Sequence, residues 1–460
     1  MSIGKIAIFF RFFLGIGLIL CSVLSAYKIF SYIAIIIFIA FLITLLFHKR
    51  GFFIKYLAFI FVAIVAIFGV AVIELFPSFY MNELRVSSHF AGSLPLIAFS
   101  YWLLLEVFYV WDATHRVEIR QNLFKKDKRI SKVADRVSFI VLILFTVLFS
   151  RVATNPAILL GMDRFMYASQ YSVSGILAAV INITPLLLVF PILSVIHGKK
   201  SIGLLAILMY ILYFLWIGNK FGPFFTLICV FLLIYYKEII KKGTAYLRKI
   251  IIIAAIAFGI VVLLAIFFSV STSSYNPLTY FQQRAAQQGQ LWWKTYEKLD
   301  GESHPEEFSD EIKALGNGKE SVTDNIGSSN GIYKIMYFCA PRSVVDYKLS
   351  TGSRYTEAGF ASMYYYFGIF GVIIFAIICG IVFSSTLNSF IKALNNTDYI
   401  KALILLRLFM FERTFITMFT FNDFLDVISI LSYIYLILMH NKKLFFKTQK
   451  GRIGLVIKSY

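Results

Sequence analysis

The chain has 460 residues, of which 59% are hydrophobic and only 15% are charged, and its mean hydropathy is +0.80. No soluble globular domain carries so much apolar surface, so the composition excludes a soluble enzyme or binding module. The formal net charge of +20 suggests either nucleic acid or an anionic membrane surface as a partner, and the positions of the basic residues decide between them.

Apolar stretches of helical length recur along the whole chain. A transmembrane helix needs about 20 mainly apolar residues, and these stretches lack the two-residue period of barrel strands. We therefore predict an all-α polytopic membrane protein with about twelve transmembrane helices. The predicted spans are 6–25, 30–47, 52–75, 91–111, 137–150, 173–195, 202–217, 221–236, 250–270, 359–384, 402–419 and 424–439.

Lysine and arginine are concentrated in the short loops on one side of these spans. By the positive-inside rule this asymmetry predicts that both termini are cytoplasmic. Much of the basic excess is then an orientation signal near anionic lipid head groups, and we expect membrane lipids rather than nucleic acid as its partner. The predicted organisation is a nine-helix region (1–270), a large extracytoplasmic loop (271–358), three further helices (359–440) and a basic cytoplasmic tail (441–460).

The large loop is predicted to fold as a lid. Asn276 and Pro277 fit a helix start, and the run 278–299 has helical spacing. A second helix is predicted from a capping box formed by Ser303 and Glu306. In the first helix, one face would be shared by Arg284, Gln288, Leu291 and Trp292.

Five cations on four outer segments are candidate ligands for phosphate. Arginine presents a planar fork that matches phosphate oxygens bidentately and stays charged at any pH. The outer segments lack a D-x-D pair of carboxylates, which favours fixed cations over a divalent metal, so we expect neither a metal nor a cofactor. The five cations are Arg164, Lys220, Arg284, Arg342 and Arg354.

Aromatic residues near these cations offer flat faces suited to sugar rings. They are Trp292, Trp293 and the tyrosine run that begins at Tyr364. The alternatives are interfacial anchoring for the tryptophans and helix packing for the tyrosines. Arg342 and Arg354 have an alternative as well, since each could form a structural ion pair with a nearby acid, Asp346 or Glu357.

Three charged residues fall inside the predicted span 402–419. They are Arg407, Glu412 and Arg413. Adjacent helix positions point about 100° apart, so Glu412 and Arg413 should not pair with each other. A charge at this depth needs a partner or a watery cavity. We expect Arg413 to face a polar cavity that reaches down from the outer surface, and the alternative is an interhelical ion pair that fixes packing.

Three motifs resemble those of Wzy-type polymerases of O-antigen and capsular polysaccharide. They are NPLTYFQQRAAQQGQLWW (276–293), GNKFGPF (218–224) and SRYTEAGFASMYYYFGIFG (353–371). The span number, the cytoplasmic termini and the late outer loop are also similar to that family. Arg164 and Gly175 match an R-x10-G pattern seen in some members, whereas Lys220 stands where members commonly carry arginine and Arg342 lacks a glycine at that spacing.

The resemblance implies a metal-independent glycosyltransferase with a GT-C-like architecture in the bacterial cytoplasmic (inner) membrane. Donor and acceptor would be oligosaccharides on undecaprenyl pyrophosphate, and a chain-length regulator is a further candidate partner. Arg164, Arg284 and Arg342 would bind the pyrophosphates, with Lys220 and Arg354 as secondary cations. Glu357 is the first candidate for the catalytic base and Asp163 is the second. The remaining substrate-binding candidates are Gln288, Trp292, Trp293, Tyr364 and Arg413.

Two other functions remain open. An O-antigen ligase has a similar topology, although the arginine and histidine spacings seen in ligases are missing from the outer loop here. A lipid-linked oligosaccharide flippase or another secondary transporter would also suit twelve spans. Such proteins generally have short loops and repeated halves, whereas the two halves of this chain show no repeat.

Overall fold

In a computed structural model, the described part of the chain is mostly helical. The structure does not describe residues 49 and 397, and it does describe a few isolated residues outside the ranges that follow. The residues that the structure describes are otherwise 3–115, 128–157, 186–218, 223–236, 277–314, 331–350, 353–439, 442–449 and 452–459.

Five of the described helices are long and apolar enough to cross a membrane, so the chain is a helical membrane protein. These five candidate spans begin at Lys28, Leu57, Leu94, Ser131 and Ala358. The first nine helices are α1 (Ile3–Val23), α2 (Lys28–His48), α3 (Arg50–Lys55), α4 (Leu57–Leu75), α5 (Leu94–Thr114), α6 (Lys128–Val152), α7 (Val189–His197), α8 (Lys200–Trp216) and α9 (Pro223–Tyr236). The others are α10 (Pro277–Ala286), α11 (Gln290–Leu299), α12 (Phe308–Ala314), α13 (Gly331–Cys339), α14 (Arg342–Ser350), α15 (Ala358–Asn395), α16 (Tyr399–Met418), α17 (Asn422–Leu425) and α18 (Val427–Leu438).

Several predicted spans coincide with described helices. The predicted spans 30–47 and 202–217 match α2 and α8 within two residues at each end. The predicted span 52–75 is divided, because α3 ends at Lys55 and α4 begins at Leu57. The predicted span 250–270 and most of 173–195 lie outside the described residues.

The described residues also include four strands, which the prediction did not contain. Strand β1 (Tyr80–Met81) pairs with β2 (Val86–Ser87), and β3 (Lys442–Gln449) pairs with β4 (Arg452–Ser459), both antiparallel. The second pair lies in the segment that we predicted only as a basic tail. The paired strands contain Phe445, Phe446, Ile453, Val456 and Ile457, residue types that favour strands.

Helices α10 to α14 lie over one end of the transmembrane bundle. We call residues 277–314 and 331–350 the cap, and the end of the bundle that they cover the cap end. The indole N–H of Trp292 donates to the carbonyl of Ser93, 3.1 Å away, just before α5 begins. The hydroxyls of Tyr296 and Ser25 lie 3.3 Å apart, where α1 has ended. The cap is thus packed against the bundle as part of the folded core.

The opposite end of the bundle is joined by polar contacts of its own. The ammonium of Lys55, the last residue of α3, contacts the carboxylate of Asp112 on α5. It also donates to the side-chain oxygen of Asn388 on α15, at 2.6 Å. Lys55 is buried, so these contacts connect α3, α5 and α15 at the end remote from the cap.

The cap helix that we predicted over 278–299 is in fact two helices, separated at Gln287–Gly289. A Cβ at Gly289 would lie 2.5 Å from the backbone nitrogen of Val70, so only glycine allows this turn to touch α4. The predicted common face is therefore wrong. Arg284 is exposed, whereas Leu291 and Trp292 are fully buried.

The predicted capping box is also absent from the described cap. A short 3₁₀ helix occupies Pro305–Glu307 before α12 begins, and the residue that precedes it is His304. No side chain caps this 3₁₀ helix. Pro305 does occupy the first turn, as expected from its fixed φ angle.

Candidate functional site

Helix α15 folds back on itself near its start. Its residue Gly368 has φ 59° and ψ −146°, which is not helical. The rings of Phe360 and Phe375 lie 5.3 Å apart, whereas a straight helix would separate these residues by about 22 Å. Residues 358–367 therefore form a separate helical segment, which we call the re-entrant helix, packed against the rest of α15.

The fold-back directs the start of the re-entrant helix into the cap end of the bundle. A Cβ at Gly359 would lie 2.4 Å from the carbonyl oxygen of Ile416 on α16. The hydroxyl of Thr356 donates to the carbonyl of Gln287 in the cap, at 3.1 Å. Residues 353–359 therefore lie between the cap and the bundle, and this is where our first candidate for the base is found.

Glu357 precedes the re-entrant helix and is buried. The phenol of Tyr101 on α5 donates a 2.5 Å hydrogen bond to its Oε2. Burial raises the pKa of Glu357 to about 8, and the hydrogen bond from Tyr101 offsets part of that rise. A carboxyl with such a pKa exchanges a proton near neutral pH, which suits a general acid or base.

The backbone of Glu357 is in the left-handed region, with φ 68°. A non-glycine residue held there costs about 1–3 kcal/mol and persists only where its surroundings impose it. Such strain clusters at functional sites. The burial, the single phenol partner and the backbone strain together make Glu357 the most distinctive acid of the described cap end.

A chain of contacts connects Arg284 to the residue that precedes Glu357. Its Nη1 donates to the side-chain oxygen of Gln287, at 3.0 Å, and the carbonyl of Gln287 accepts from Thr356. Arg284 is exposed and lies 5.3 Å from the ring of Tyr280. The guanidinium is thus on the surface of the cap, within three residues of a segment that contacts Thr356.

The other two candidate phosphate-binding arginines that the structure describes are also exposed, but their contacts differ. Arg354 lies over the ring of Tyr333, 5.4 Å from its centre, and is three residues before Glu357. Arg342 forms a 3.5 Å ion pair with Asp346 on the same helix, as our structural alternative predicted. Both partners of that pair are about half exposed, so it contributes little to stability.

The aromatic residues that we proposed as a sugar platform are buried. Trp292 and Trp293 have no exposed surface, and their indole N–H groups donate to the carbonyls of Ser93 and His89. Tyr364 is also buried and stacks on Tyr296 at 5.5 Å. In this arrangement the rings pack the cap onto the bundle and offer no open face to a sugar.

Three predicted site residues, Asp163, Arg164 and Lys220, lie outside the described residues. Gln288 is half-buried in the turn between α10 and α11. Arg413 is half-buried, and its guanidinium lies 5.6 Å from the centre of the Phe225 ring.

The charges within the spans have specific partners. Glu412 accepts a 2.5 Å hydrogen bond from Thr386 on α15 rather than pairing with Arg413. Arg407 forms a 2.6 Å ion pair with Asp426 at the start of α18. These contacts connect α16 to its neighbours.

Sequence reasoning missed several polar residues at the cap end. Tyr101 is the partner of Glu357, and Glu74 near the end of α4 accepts from the N–H and hydroxyl of Ser93, each at 2.7 Å. In the cap, Lys348 contacts Glu83 at 2.5 Å. An acid inside an apolar helix was the available signal for Glu74, whereas a tyrosine in a span carries no such signal.

One group of side chains in the cap could hold a metal ion by distance alone. His304, Glu306 and Glu307 each place a ligand atom within 4.8 Å of the others. The ammonium of Lys334 lies 2.7 Å from Glu307, so a metal ion would have to displace a charge that is already there. We therefore assign no metal to this group.

Comparison with known proteins gives one partial match. A family of unknown function, DUF6418, matches residues 326–434, which run from α13 through the re-entrant helix into α18. No curated protein matches the chain, and no solved structure matches it. The matched region includes Arg342, Arg354 and Glu357, but not Arg284.

Proposed function

We propose that the chain is a metal-independent membrane glycosyltransferase of the polymerase type, which joins oligosaccharide repeat units carried on undecaprenyl pyrophosphate. An acceptor hydroxyl attacks the anomeric carbon of the donor glycan, and the bond from that carbon to the pyrophosphate oxygen breaks. The hydroxyl proton goes to a base. The proposal includes about twelve spans with both termini cytoplasmic, a GT-C-like architecture and a site on the outer face of the bacterial cytoplasmic membrane.

One observation carries this proposal: a strained, buried acid at the end of a membrane bundle, connected to an exposed arginine through a chain of contacts. The contacts run from Arg284 to Gln287 and on to Thr356, the neighbour of Glu357. Glycosyl transfer from a lipid pyrophosphate requires this combination, a base for the acceptor and a fixed cation for the departing pyrophosphate.

The exposed arginines are assigned to the pyrophosphate. A charge-assisted hydrogen bond contributes about 1.5–3 kcal/mol net, and it acts on the rate when it strengthens as charge develops on the leaving group. Arg284 and Arg354 are the preferred candidates. Arg354 is three residues before Glu357, and Arg284 is connected to Thr356 through Gln287. Arg342 ranks after them because Asp346 already shares its charge.

Glu357 is assigned as the base, with Asp163 as the second candidate. Its raised pKa of about 8 makes the ionised form a strong proton acceptor at neutral pH. The hydrogen bond from Tyr101 orients the carboxylate. Trp292, Trp293 and Tyr364 are buried, so the proposal gives them no role in substrate binding.

The test is a gel of surface polysaccharide and lipid-linked intermediates from cells in which the gene is deleted and then restored. Restoring Arg284→Ala or Glu357→Gln should give single repeat units at the surface but no ladder of polymer. Lys313→Ala is the matched control, since this exposed cap lysine pairs only with Asp310 among its described contacts. Immunoblots check that all variants reach equal levels.

Other outcomes of the same gel would overturn the proposal. Long lipid-linked chains that never reach a final acceptor would indicate a ligase. Single units trapped on the cytoplasmic leaflet would indicate a flippase. An unchanged ladder from Arg284→Ala and Glu357→Gln would remove both residues from the mechanism.

A further inference from the structure

Lys334 in α13 is the centre of an ionic cluster between the cap and the re-entrant helix. Its ammonium lies 2.7 Å from Oε2 of Glu307 and 3.5 Å from Oδ2 of Asp310. The side chain of Lys334 is only 10% exposed. A lysine charge this poorly solvated depends on its carboxylate partners, so this cluster holds α13 against the short helices before it.

Glu307 and a second acid of the same segment, Glu311, hold two tyrosines of the re-entrant helix. The phenol of Tyr365 donates to Oε2 of Glu307 at 3.0 Å, and that of Tyr366 donates to Oε1 of Glu311 at 2.6 Å. Glu311 is buried, and burial raises its pKa although hydrogen bonds from Tyr366 and the N–H of Gly331 oppose that rise. The C-terminal end of the re-entrant helix is thus tied to the cap through Glu307, which pairs with Lys334, and through Glu311, which the Lys334 charge also influences.

Glu357 lies at the other end of the re-entrant helix, and a glycine, Gly368, comes shortly after the two tyrosines. Gly368 has φ 59°, and a Cβ placed on it would meet no atom within 4 Å. The ten residues between Glu357 and Gly368 form one continuous helical segment. A rigid segment with a glycine at one end moves as a lever, so a displacement at Tyr365 and Tyr366 is transmitted to Glu357.

Movement is necessary for anything outside the protein to reach this acid. Glu357 is 3% exposed and Tyr101 is fully buried. No substrate hydroxyl can touch the carboxylate while the cap and the re-entrant helix are packed as described. Enzymes that enclose a buried group commonly open by moving a lid about a few hinge residues.

We propose that Lys334 and its acids form a latch that holds the re-entrant helix closed, and that release of the latch swings this helix about Gly368 and exposes Glu357. Lys334 is a positioning residue, which acts through Glu307, Glu311 and the two tyrosines. The inference does not depend on the sugar chemistry of the proposed function, because it concerns access to Glu357 alone.

Cysteine accessibility tests the latch directly. Ser362 lies in the middle of the re-entrant helix, is fully buried and has no hydrogen-bond partner for its hydroxyl among the described residues. Cysteine is nearly isosteric with serine, so Ser362→Cys is a mild change. The purified full chain carrying this reporter is treated with a water-soluble maleimide. The same protein without the reporter gives the background from the four native cysteines, all of which are buried.

Combined with the reporter, Lys334→Met should raise the labelling rate by about tenfold, the shift in population that loss of one charge-assisted hydrogen bond produces. Lys334→Arg should keep the rate low. Lys298→Met is the matched control, because this cap lysine donates at 2.6 Å to the carbonyl of Phe338 on the same helix α13 but is not part of the latch.

A second variant keeps the test decisive if Lys334→Met does not fold. Tyr366→Phe removes only the hydroxyl that donates to Glu311 and leaves the ring in place. It too should raise the labelling of Ser362→Cys. Reporter labelling that stays at the parent rate in folded Tyr366→Phe and Lys334→Met proteins would overturn the latch, as would an equal rise in Lys298→Met. Neither result would bear on polymer synthesis.

Discussion

Replacing Glu357 with glutamine should change how thermal stability depends on pH. Burial raises the pKa of this carboxyl from 4.5 to about 8 in the folded protein. Between these two pH values the folded chain keeps a proton that the unfolded chain has lost, so wild-type stability falls as pH rises through this window. Ionisation of Glu357 therefore lowers the free energy of unfolding by at most about 5 kcal/mol at pH 8, and it has no effect below about pH 4.5.

Glu357→Gln cannot ionise, so it escapes this loss while its side-chain oxygen can still accept from Tyr101. The melting temperature of the variant minus that of the wild type, measured in one detergent, should therefore rise steadily from pH 5 to pH 8. The difference cancels the pH dependence of all other groups. A difference that is constant with pH, or that falls, would refute the protonation of Glu357 that we infer from its burial.

Three further variants test the packing of the cap. Gly289→Ala should lower the melting temperature clearly, because its Cβ would lie 2.5 Å from the backbone of Val70, whereas Gln288→Ala in the same turn should not. Trp292→Phe should destabilise the fold by about 1–3 kcal/mol in thermal melts, since the buried carbonyl of Ser93 loses its donor. Arg342→Ala should change stability by less than about 1 kcal/mol, because its ion pair is exposed.

The membrane class and several span boundaries could be predicted because hydropathy depends on composition within a window. The helix Lys28–His48 was predicted as 30–47 on that basis alone. The ion pair of Arg342 with Asp346 was also foreseen as an alternative, since helix positions four apart are neighbours. Predictions of this kind depend only on residues that are close in sequence.

The fold-back of α15 could not be predicted in the same way. Gly368 is one of several glycines in an apolar run that also contains Gly371 and Gly380, and glycine is common in uninterrupted transmembrane helices. The burial of Trp292 and Trp293 depends equally on distant residues. Their carbonyl partners, Ser93 and His89, are about 200 positions away along the chain. The sequence identified polar and aromatic residues near the site but not which of them lie inside the protein.

The most direct test of the proposed function uses purified protein and its lipid-linked substrate. Single repeat units on lipid pyrophosphate, extracted from cells that lack the gene, are incubated with the protein in the presence of a metal chelator. The wild type should convert them into longer lipid-linked glycans, with one lipid pyrophosphate released for each bond formed, and Arg284→Ala should not. Units that remain single with the wild-type protein would contradict the assignment as a polymerase.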